Sequence, residues 1–295
     1  MNELNRHAYL IMAHHQFDFL KLLIEDLNQE YNDIFLHVDI KAKDFKEEEF
    51  YSIATKARLI MIPRMDIHWG GYSQIQCILK LLEIAAGYGY HSYYHFMVGV
   101  EFPIKNPEYI YNFFENNLGA EFIGFDDSGR DCYQERVIYY HLFNESGRSA
   151  TTLGKLKWQC MRVGVKIQKI LHIKIFNEKN CVLKKGNANW SISDDLVRYI
   201  LSKKEWIHRN FKHSLCGDEV FIHTLAYNNP VFREKIYDYE NEYRSNMRIV
   251  QWKEKNNLYH WDDIETLLET PYLFARKFFG EEGIQIVNEI KKKRC

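Results

Sequence analysis

Short apolar runs alternate with longer amphipathic stretches along the first third of the chain. Four runs have the length and composition of buried strands: Ala8–Met12, Ile34–Val38, Arg58–Ile62 and Tyr94–Val98. The segments Phe17–Leu27 and Ile75–Ala86 repeat apolar residues at helical spacing, which predicts a helix in each. Strands that alternate with helices in this way form a parallel sheet that is covered on both faces.

The residues that directly follow these strands are candidates for ligand binding. Ligands of such sheets lie beyond the carboxyl ends of the strands. The segments in that position are Ala13–His15, Asp39 and Val98–Phe102. We therefore expect His14, His15 and Asp39 to lie beside a bound ligand.

The second half of the chain contains mixed elements and no obvious linker. Strands are predicted at Ala188–Ile192 and Met247–Trp252, and helices from about Asp194, near Asp218, around Asp262–Leu268 and at Glu282–Lys291. The chain has only 5 prolines and no Ser/Gly tract. It is therefore predicted to form one domain.

One segment, 155–185, is strongly basic and carries interleaved apolar residues. It holds nine Lys or Arg residues and one acid, Glu178. Such a segment fits either an amphipathic helix on an anionic membrane or a helix packed on the domain with a solvated basic face. Both alternatives stay open at the level of sequence.

Composition and charge narrow the class of protein. The chain has 295 residues, of which 46% are hydrophobic, and its formal net charge of −1 argues against nucleic-acid binding through bulk charge. No apolar run is long enough for a membrane span, and no secretory signal is recognised. The six cysteines include no Cys-x-x-Cys pair and are expected to be reduced thiols. We expect a cytoplasmic protein.

Several common catalytic motifs are absent from the sequence. There is no G-x-G-x-x-G, no G-x-x-x-x-G-K-[ST], no G-x-S-x-G and no Asp-x-Asp. Glu219 and His223 share a helical face, but no third zinc ligand is fixed by spacing. Dinucleotide oxidoreductases and P-loop NTPases are thereby disfavoured, and no metal site is predicted.

Acids and cations in apolar surroundings form the remaining candidate chemistry. Asp218 and Glu219 open an apolar stretch, where they are either helix-capping acids or catalytic carboxylates. Arg276 and Lys277 lie between aromatic residues, and Arg248 begins a predicted strand. Because a buried cation is costly, this placement suggests a bound anion.

The order of short motifs along the chain resembles the core-2/I-branching β-1,6-N-acetylglucosaminyltransferases, a family that includes the peptide O-xylosyltransferases. The similar segments are Ala8–His15, Ile34–Lys41 (IFLHVDIK), Ile67–Ser73 (IHWGGYS), Gly99–Lys105 (GVEFPIK, with Glu101 in place of the commoner Asp), Gly186–Ile192, Asp218–Leu225 (DEVFIHTL), Arg248–Trp252 and Leu273–Phe278 (LFARKF). The resemblance implies a single α/β domain of GT-A type, a Rossmann-like mixed sheet flanked by helices. Residues 1–125 would then be mainly the nucleotide-binding half and 126–295 mainly the acceptor-binding and catalytic half.

The resemblance also implies roles for individual residues. Glu219 corresponds to the general base, because the position at which xylosyltransferases carry an Asp base is Asn189 here. Three groups of residues are similar to the family's ligand-binding positions: Arg248, Lys277 and Arg276 for the diphosphate; His14, His15, Asp39 and Trp69 for the uridine; and Arg136, Glu101 and Trp190 for the acceptor. For Arg136, a structural ion pair is the alternative interpretation. The implied reaction is an inverting transfer from a UDP-sugar without a metal cofactor.

The chemistry of such a transfer fits these residue types. Negative charge develops on the departing diphosphate, and fixed Arg and Lys side chains can stabilise it in place of a metal held by Asp-x-Asp. The expected donor sugar is GlcNAc, with UDP-xylose or another UDP-sugar as the alternative. The expected acceptor is a glycan or lipid-linked oligosaccharide in bacterial surface-polysaccharide synthesis, with peripheral membrane contact through Lys155–Lys185 and through Lys291–Arg294. A non-catalytic glycan-binding module and a metal-dependent hydrolase are the rival interpretations.

Overall fold

A computed structural model describes residues 4–126, 132–146, 151–176, 180–252 and 256–294 of the chain. The strands are β1 (His7–Ala13), β2 (Asn32–Val38), β3 (Arg58–Met61), β4 (Tyr93–Val98), β5 (Glu101–Pro103), β6 (Trp190–Ser193), β7 (Arg248–Val250) and β8 (Phe274–Arg276). The helices of the first half are α1 (Phe17–Asp26), α2 (Glu48–Tyr51), α3 (Tyr72–Tyr88), α4 (Pro107–Glu115) and α5 (Glu135–Ile138). Those of the second half are α6 (Thr152–Ile170), α7 (Asp194–Ser202), α8 (Lys204–Phe211), α9 (Phe221–Asn228), α10 (Pro230–Arg233), α11 (Glu242–Asn246), α12 (Ile264–Glu269) and α13 (Gly280–Lys293).

The main sheet has five strands in the order β3-β2-β1-β4-β6. The first four are parallel and β6 is antiparallel to β4. Leu10 pairs with Phe35 and Phe96 and faces the core that contains α3, whereas Ile11 faces the core that contains α1. Alternate residues of each strand point to opposite sides of the sheet. Each face therefore presents apolar side chains, and each is covered by one of these two cores. The predicted mixed α/β fold is confirmed.

A second sheet has three strands in the order β5-β8-β7. Strand β8 is antiparallel to β5 and parallel to β7, so that Arg276 pairs with Glu101 and with Val250. The sequence pattern predicts neither β5 nor β8. Strands of three residues are too short to show a periodic pattern.

The basic segment is helical over α6, where the side chain of Thr151 accepts a hydrogen bond from the Gly154 N–H at 3.1 Å. Lys179 and Glu178 of that segment lie outside the described residues, as does Cys295. Cysteines 77, 132, 160, 181 and 216 form no disulfide bond among the described residues.

Within the described ranges, none of the helices is both long and apolar enough to cross a bilayer.

Candidate active site

The carboxyl edge of the main sheet brings together three of the predicted uridine-binding residues. The Asp39 N–H donates to the Ala13 carbonyl at 2.9 Å, and His14 and His15 follow Ala13 directly. The two imidazole rings lie 4.0 Å apart. The pKa of His14 is lowered by partial burial and by the neighbouring His15, so His14 is neutral at pH 7.

The turn that carries Asp39 is fixed by its neighbours. Oδ1 of Asp39 accepts the Lys41 N–H at 2.8 Å, and Oδ2 lies 3.1 Å from Lys41 Nζ. The Arg64 guanidinium donates to the carbonyls of Val38 and Asp39 at 3.2 and 2.6 Å. This leaves a buried, held carboxylate at the edge of the sheet.

Trp69, the fourth residue predicted to bind uridine, is 52% exposed. It precedes Gly70, whose φ of +75° is a backbone conformation that favours glycine. A Cβ on Gly71 would lie 2.5 Å from the Glu145 carboxylate, which accepts hydrogen bonds from the Ser73 N–H and hydroxyl. The two glycines therefore allow a tight turn that presents the Trp69 ring to solvent.

The same turn supports the segment that carries the predicted base. The Cys216 N–H donates to the Gly70 carbonyl at 2.8 Å, and a 3-10 helix follows at Gly217–Glu219. The Glu219 side chain is 35% exposed, and its Oε2 lies 3.2 Å from Nη1 of Arg136. Arg136, predicted to contact the acceptor, is thus an ion-pair partner of the predicted base.

Asp218 differs from its neighbour in burial. Its side chain is buried, and Oδ1 has no hydrogen-bond partner within the described residues. Burial and the charge of Glu219 raise the pKa of Asp218 to about 7. The two adjacent acids therefore have different environments, and only Glu219 is open to a ligand.

Two cations, Arg276 and Lys277, lie at the end of strand β8. Nη1 of Arg276 lies 3.3 Å from Oδ1 of Asn189, and its buried Nε has no partner in the described part of the chain. Burial lowers the pKa of Arg276, and the carboxylates of Glu101, Glu219 and Asp218 oppose that shift. The guanidinium thus lies within the field of the predicted base.

Lys277 is the second cation. Its ammonium has no ion-pair partner among the described residues, and burial together with the neighbouring Arg276 lowers its pKa. Its backbone is held, since the Lys277 carbonyl accepts the Tyr259 N–H at 3.0 Å. Arg276 and Lys277 are thus adjacent cations with unused hydrogen-bond donors, and we call these two residues the cation pair.

Arg248 does not belong to the cation pair, and the structure does not expose its side chain to a diphosphate. The side chain is completely buried, and its Nε donates to Glu101 Oε1 at 2.8 Å. Its other nitrogens donate to the Asn246 and Trp190 carbonyls and to the Ser191 hydroxyl, at 2.7 to 3.1 Å. The anion that balances this cation is Glu101, within the protein.

Glu101 and Trp190, which are predicted to contact the acceptor, are also buried. Neither side chain has exposed surface from which to touch a ligand. Glu101 accepts hydrogen bonds from Arg248 and from the amide of Asn189, and Trp190 stacks on Phe96 with a centroid distance of 5.3 Å. Both side chains therefore lie inside the protein, next to the residues of the candidate site.

Asn189 is a candidate functional residue, and in the sequence it stands out only by its position next to a predicted strand. Its amide donates to Glu101, and its Oδ1 accepts from Arg276. A hydrogen-bonded series therefore runs from Arg248 through Glu101 and Asn189 to Arg276. The sequence shows Asn189 only as a polar residue next to a buried strand. Its partners, Glu101 and Arg276, lie far away along the chain.

No metal cluster was found in the residues that the structure describes: no three His, Cys, Asp or Glu side chains are arranged to hold an ion. Glu219 and His223, the two residues considered as zinc ligands in the sequence, have different surroundings. His223 is fully buried, whereas Glu219 is partly exposed. Burial lowers the pKa of His223 to about 3.

Comparison with known proteins assigns the class. The family model of the core-2/I-branching enzymes matches residues 7–268, and the chain belongs to this family of glycosyltransferases. Membership of the family is confirmed as the resemblance implied.

Two further comparisons add no argument about function. The crystal structure of mouse xyloside xylosyltransferase 1 in its apo form is similar over 92% of this chain and 97% of that one, with 10% sequence identity and a TM-score of 0.40. No curated protein sequence matches the chain significantly.

Proposed function

We propose that the protein transfers a sugar with inversion from a UDP donor to a hydroxyl of a glycan, with GlcNAc as the sugar and without a metal cofactor. The observation that carries this proposal is the cation pair, in which the buried Nε of Arg276 has no hydrogen-bond partner among the described residues, together with the partly exposed Glu219 carboxylate. The acceptor is a glycan or a lipid-linked oligosaccharide. The role in bacterial surface-polysaccharide synthesis stays a prediction.

The uridine end of the donor is assigned to the carboxyl edge of the sheet. Asp39 offers a held carboxylate oxygen for a ring N–H or a ribose hydroxyl. His14 and His15 offer imidazole nitrogens for hydrogen bonds, and the exposed Trp69 ring offers a flat apolar face. This position is also the one at which ligands of α/β sheets bind.

The diphosphate is assigned to Arg276 and Lys277. Cleavage of the anomeric C–O bond moves an electron pair to the leaving UDP, and preorganised cations stabilise that charge as it develops. Arg276 provides a planar pair of N–H donors and Lys277 a point charge. Arg248 is assigned an indirect role, since it holds Glu101, which holds Asn189 against Arg276.

Glu219 is assigned as the base that removes the proton of the attacking hydroxyl. Two rival groups are less suited to this role. Asp218 is buried, and Asn189 is an amide already hydrogen-bonded between Glu101 and Arg276. Arg136 is assigned to position the Glu219 carboxylate through their 3.2 Å ion pair.

The direct test is UDP release from UDP-GlcNAc in the presence of glycan acceptors, with UDP-xylose and other UDP-sugars as parallel donors. Glu219→Gln is expected to lower turnover by about 10²–10⁴-fold, the usual worth of a general base, and to leave donor binding intact. EDTA is expected to have little effect on the wild-type rate.

The matched control is Glu135→Gln, which neutralises the acid that precedes Arg136 in the chain. Glu135 does not pair with Arg136 but with Lys169, at 2.5 Å. This variant should retain wild-type turnover. Turnover of Glu219→Gln within a few-fold of wild type would reject Glu219 as the base. Absence of UDP release from every donor would favour the glycan-binding module, and loss of activity in EDTA would reject the metal-free mechanism.

A further inference from the structure

Helix α6 contacts the rest of the protein along one narrow stripe. Its buried residues are Gly154, Met161 and Gln168, which are spaced by seven positions and therefore lie on one side of the helix. The Gln168 amide exchanges hydrogen bonds with the backbone of Tyr140 at 2.8 and 2.9 Å. The orientation of the helix on the domain is thereby fixed.

The side of α6 that faces away from the domain is apolar. Its large side chains are between 49% and 75% exposed, and they are Leu153, Leu156, Val163, Ile167 and Ile170, followed by Leu171 after the helix. A helix on the surface of a globular protein normally turns its apolar side inward. In α6 the apolar side faces outward, which indicates contact with an apolar environment outside the domain.

Cations flank this apolar side. Lys155, Arg162 and Lys166 are exposed, lie on one flank of the helix at helical spacing, and have no ion-pair partner among the described residues. An exposed apolar side bordered by unpaired cations has the chemistry of a helix that lies in the interface of an anionic bilayer.

The cations near the C-terminus differ, although sequence analysis grouped them with this segment. Lys291 pairs with Glu25 at 2.6 Å, and Lys293 pairs with Glu265 at 2.7 Å. Arg294 is nearly buried against Asp26. Their charge is balanced within the protein, so they add little to a basic surface.

We propose that α6 docks the protein on an anionic lipid bilayer, with its apolar side inserted among the headgroups and its basic flank against acidic lipid. A second copy of the chain is a poorer occupant, because a two-fold contact would bring the cations of two α6 helices together. The inference is independent of the glycosyl transfer, since it rests on a different surface.

The position of α6 connects this surface with the candidate active site. Trp158 and Met161 of α6 line a small crevice together with Trp69 and Phe143. This crevice lies on the domain-facing side of α6, so the helix would lie between the bilayer and the Trp69 ring. This geometry suits an acceptor whose hydroxyl is presented close to a membrane surface.

The test is sedimentation of the full chain with phosphatidylcholine vesicles, with and without phosphatidylglycerol, at low and high salt. The wild type is expected to bind the acidic vesicles and to be released by salt. Lys155→Gln with Lys166→Gln should lower partitioning by about thirtyfold, given the worth of each cation at such a surface. Ile167→Ser with Ile170→Ser should lower it by about tenfold or more.

The control removes two exposed lysines that also have no ion-pair partner among the described residues, through Lys43→Gln with Lys56→Gln. This pair should bind like the wild type, and unchanged melting temperatures should show that all variants are folded. The proposal is overturned by no binding to acidic vesicles at low salt, by an equal loss in the control pair, or by wild-type binding of the serine variant. It is also overturned if the wild type is a dimer and the serine variant a monomer in sedimentation equilibrium.

Discussion

Arg248 and Arg276 lie on the neighbouring strands β7 and β8 of the same small sheet, yet the two guanidinium groups have different surroundings. Arg248 donates to a carboxylate, two carbonyls and a hydroxyl, and has no exposed surface. Arg276 has one 3.3 Å hydrogen bond to Asn189, a buried Nε without a partner among the described residues, and Lys277 as its neighbour. One cation is balanced by the protein, and the other retains capacity to bind.

The difference between the two arginines shows which property of a buried cation indicates a ligand. Apolar surroundings alone do not, because Arg248 is the more deeply buried and its charge is neutralised by Glu101. Unused hydrogen-bond donors and an adjacent like charge do indicate a ligand, since both are unfavourable until an anion binds. Four measurements probe this contrast.

The largest expected effect is on stability, through Arg248→Met. This change leaves Glu101 buried without its counter-ion, and breaking a buried pair from one side typically costs about 3–5 kcal/mol. We expect a loss of that size in the free energy of unfolding measured by urea denaturation. The double variant Arg248→Met, Glu101→Gln should recover much of it, because the unpaired charge is then removed. A stable single variant would contradict the assignment of Arg248 as an internally balanced cation.

The second prediction concerns Arg276→Gln, which should act on catalysis and not on folding. Removal of one preorganised donor to a developing oxyanion typically costs about 10²–10³-fold in kcat, and we expect a loss of this size in UDP release. The melting temperature should not fall, because the guanidinium forms few bonds in the free protein. Arg209→Gln, at an exposed position, is the control and should retain activity. If Arg276→Gln lowered the melting temperature and kept a normal kcat, Arg276 would be a structural residue like Arg248, and this prediction would be contradicted.

The third prediction concerns Asp218, one of the carboxylates near Arg276. Its pKa of about 7 lies above the value near 4 of an unfolded chain. The folded state therefore binds this proton more tightly, and the associated stability is present below about pH 4 and is lost as the pH rises to about 7. Glu121, whose pKa burial also raises to about 7, adds to the same slope.

Asp218→Asn should accordingly gain stability over the wild type between pH 5 and pH 8, by about 2–4 kcal/mol. Chemical denaturation at the two pH values measures the difference. Asp44→Asn, at an exposed position, should show no such gain. A gain that is equal at both pH values would show that Asp218 does not take up a proton in the folded state.

Much of the main sheet could be predicted, because its order is written in local patterns. The runs at Ala8–Met12, Ile34–Val38 and Tyr94–Val98 match β1, β2 and β4 within two residues. Helix α3 begins at Tyr72, three residues before the predicted start, because Glu145 binds the Ser73 N–H at its first turn. That carboxylate is 72 residues away in the sequence, so no local pattern reveals it.

The candidate site could be predicted only in its residue types. The motifs identified Glu219, Arg276, Lys277, Asp39, His14, His15 and Trp69, and the structure places these at exposed or partly exposed positions or, for Asp39, in a held turn. They did not distinguish these residues from Arg248, Glu101 and Trp190. The reason is that burial of Arg248 depends on a pairing across 147 residues, which forms only when β5, β7 and β8 join one sheet.

The most direct test of the account compares the affinities of UDP and uridine by titration calorimetry in EDTA, for the wild type and Lys277→Gln. The two ligands differ only in the diphosphate, which we assign to the cation pair. Lys277→Gln should weaken UDP binding by about tenfold or more, the worth of a charge-assisted hydrogen bond, and leave uridine binding unchanged. An equal loss for both ligands, no loss for UDP, or UDP binding that requires a divalent ion would contradict the account.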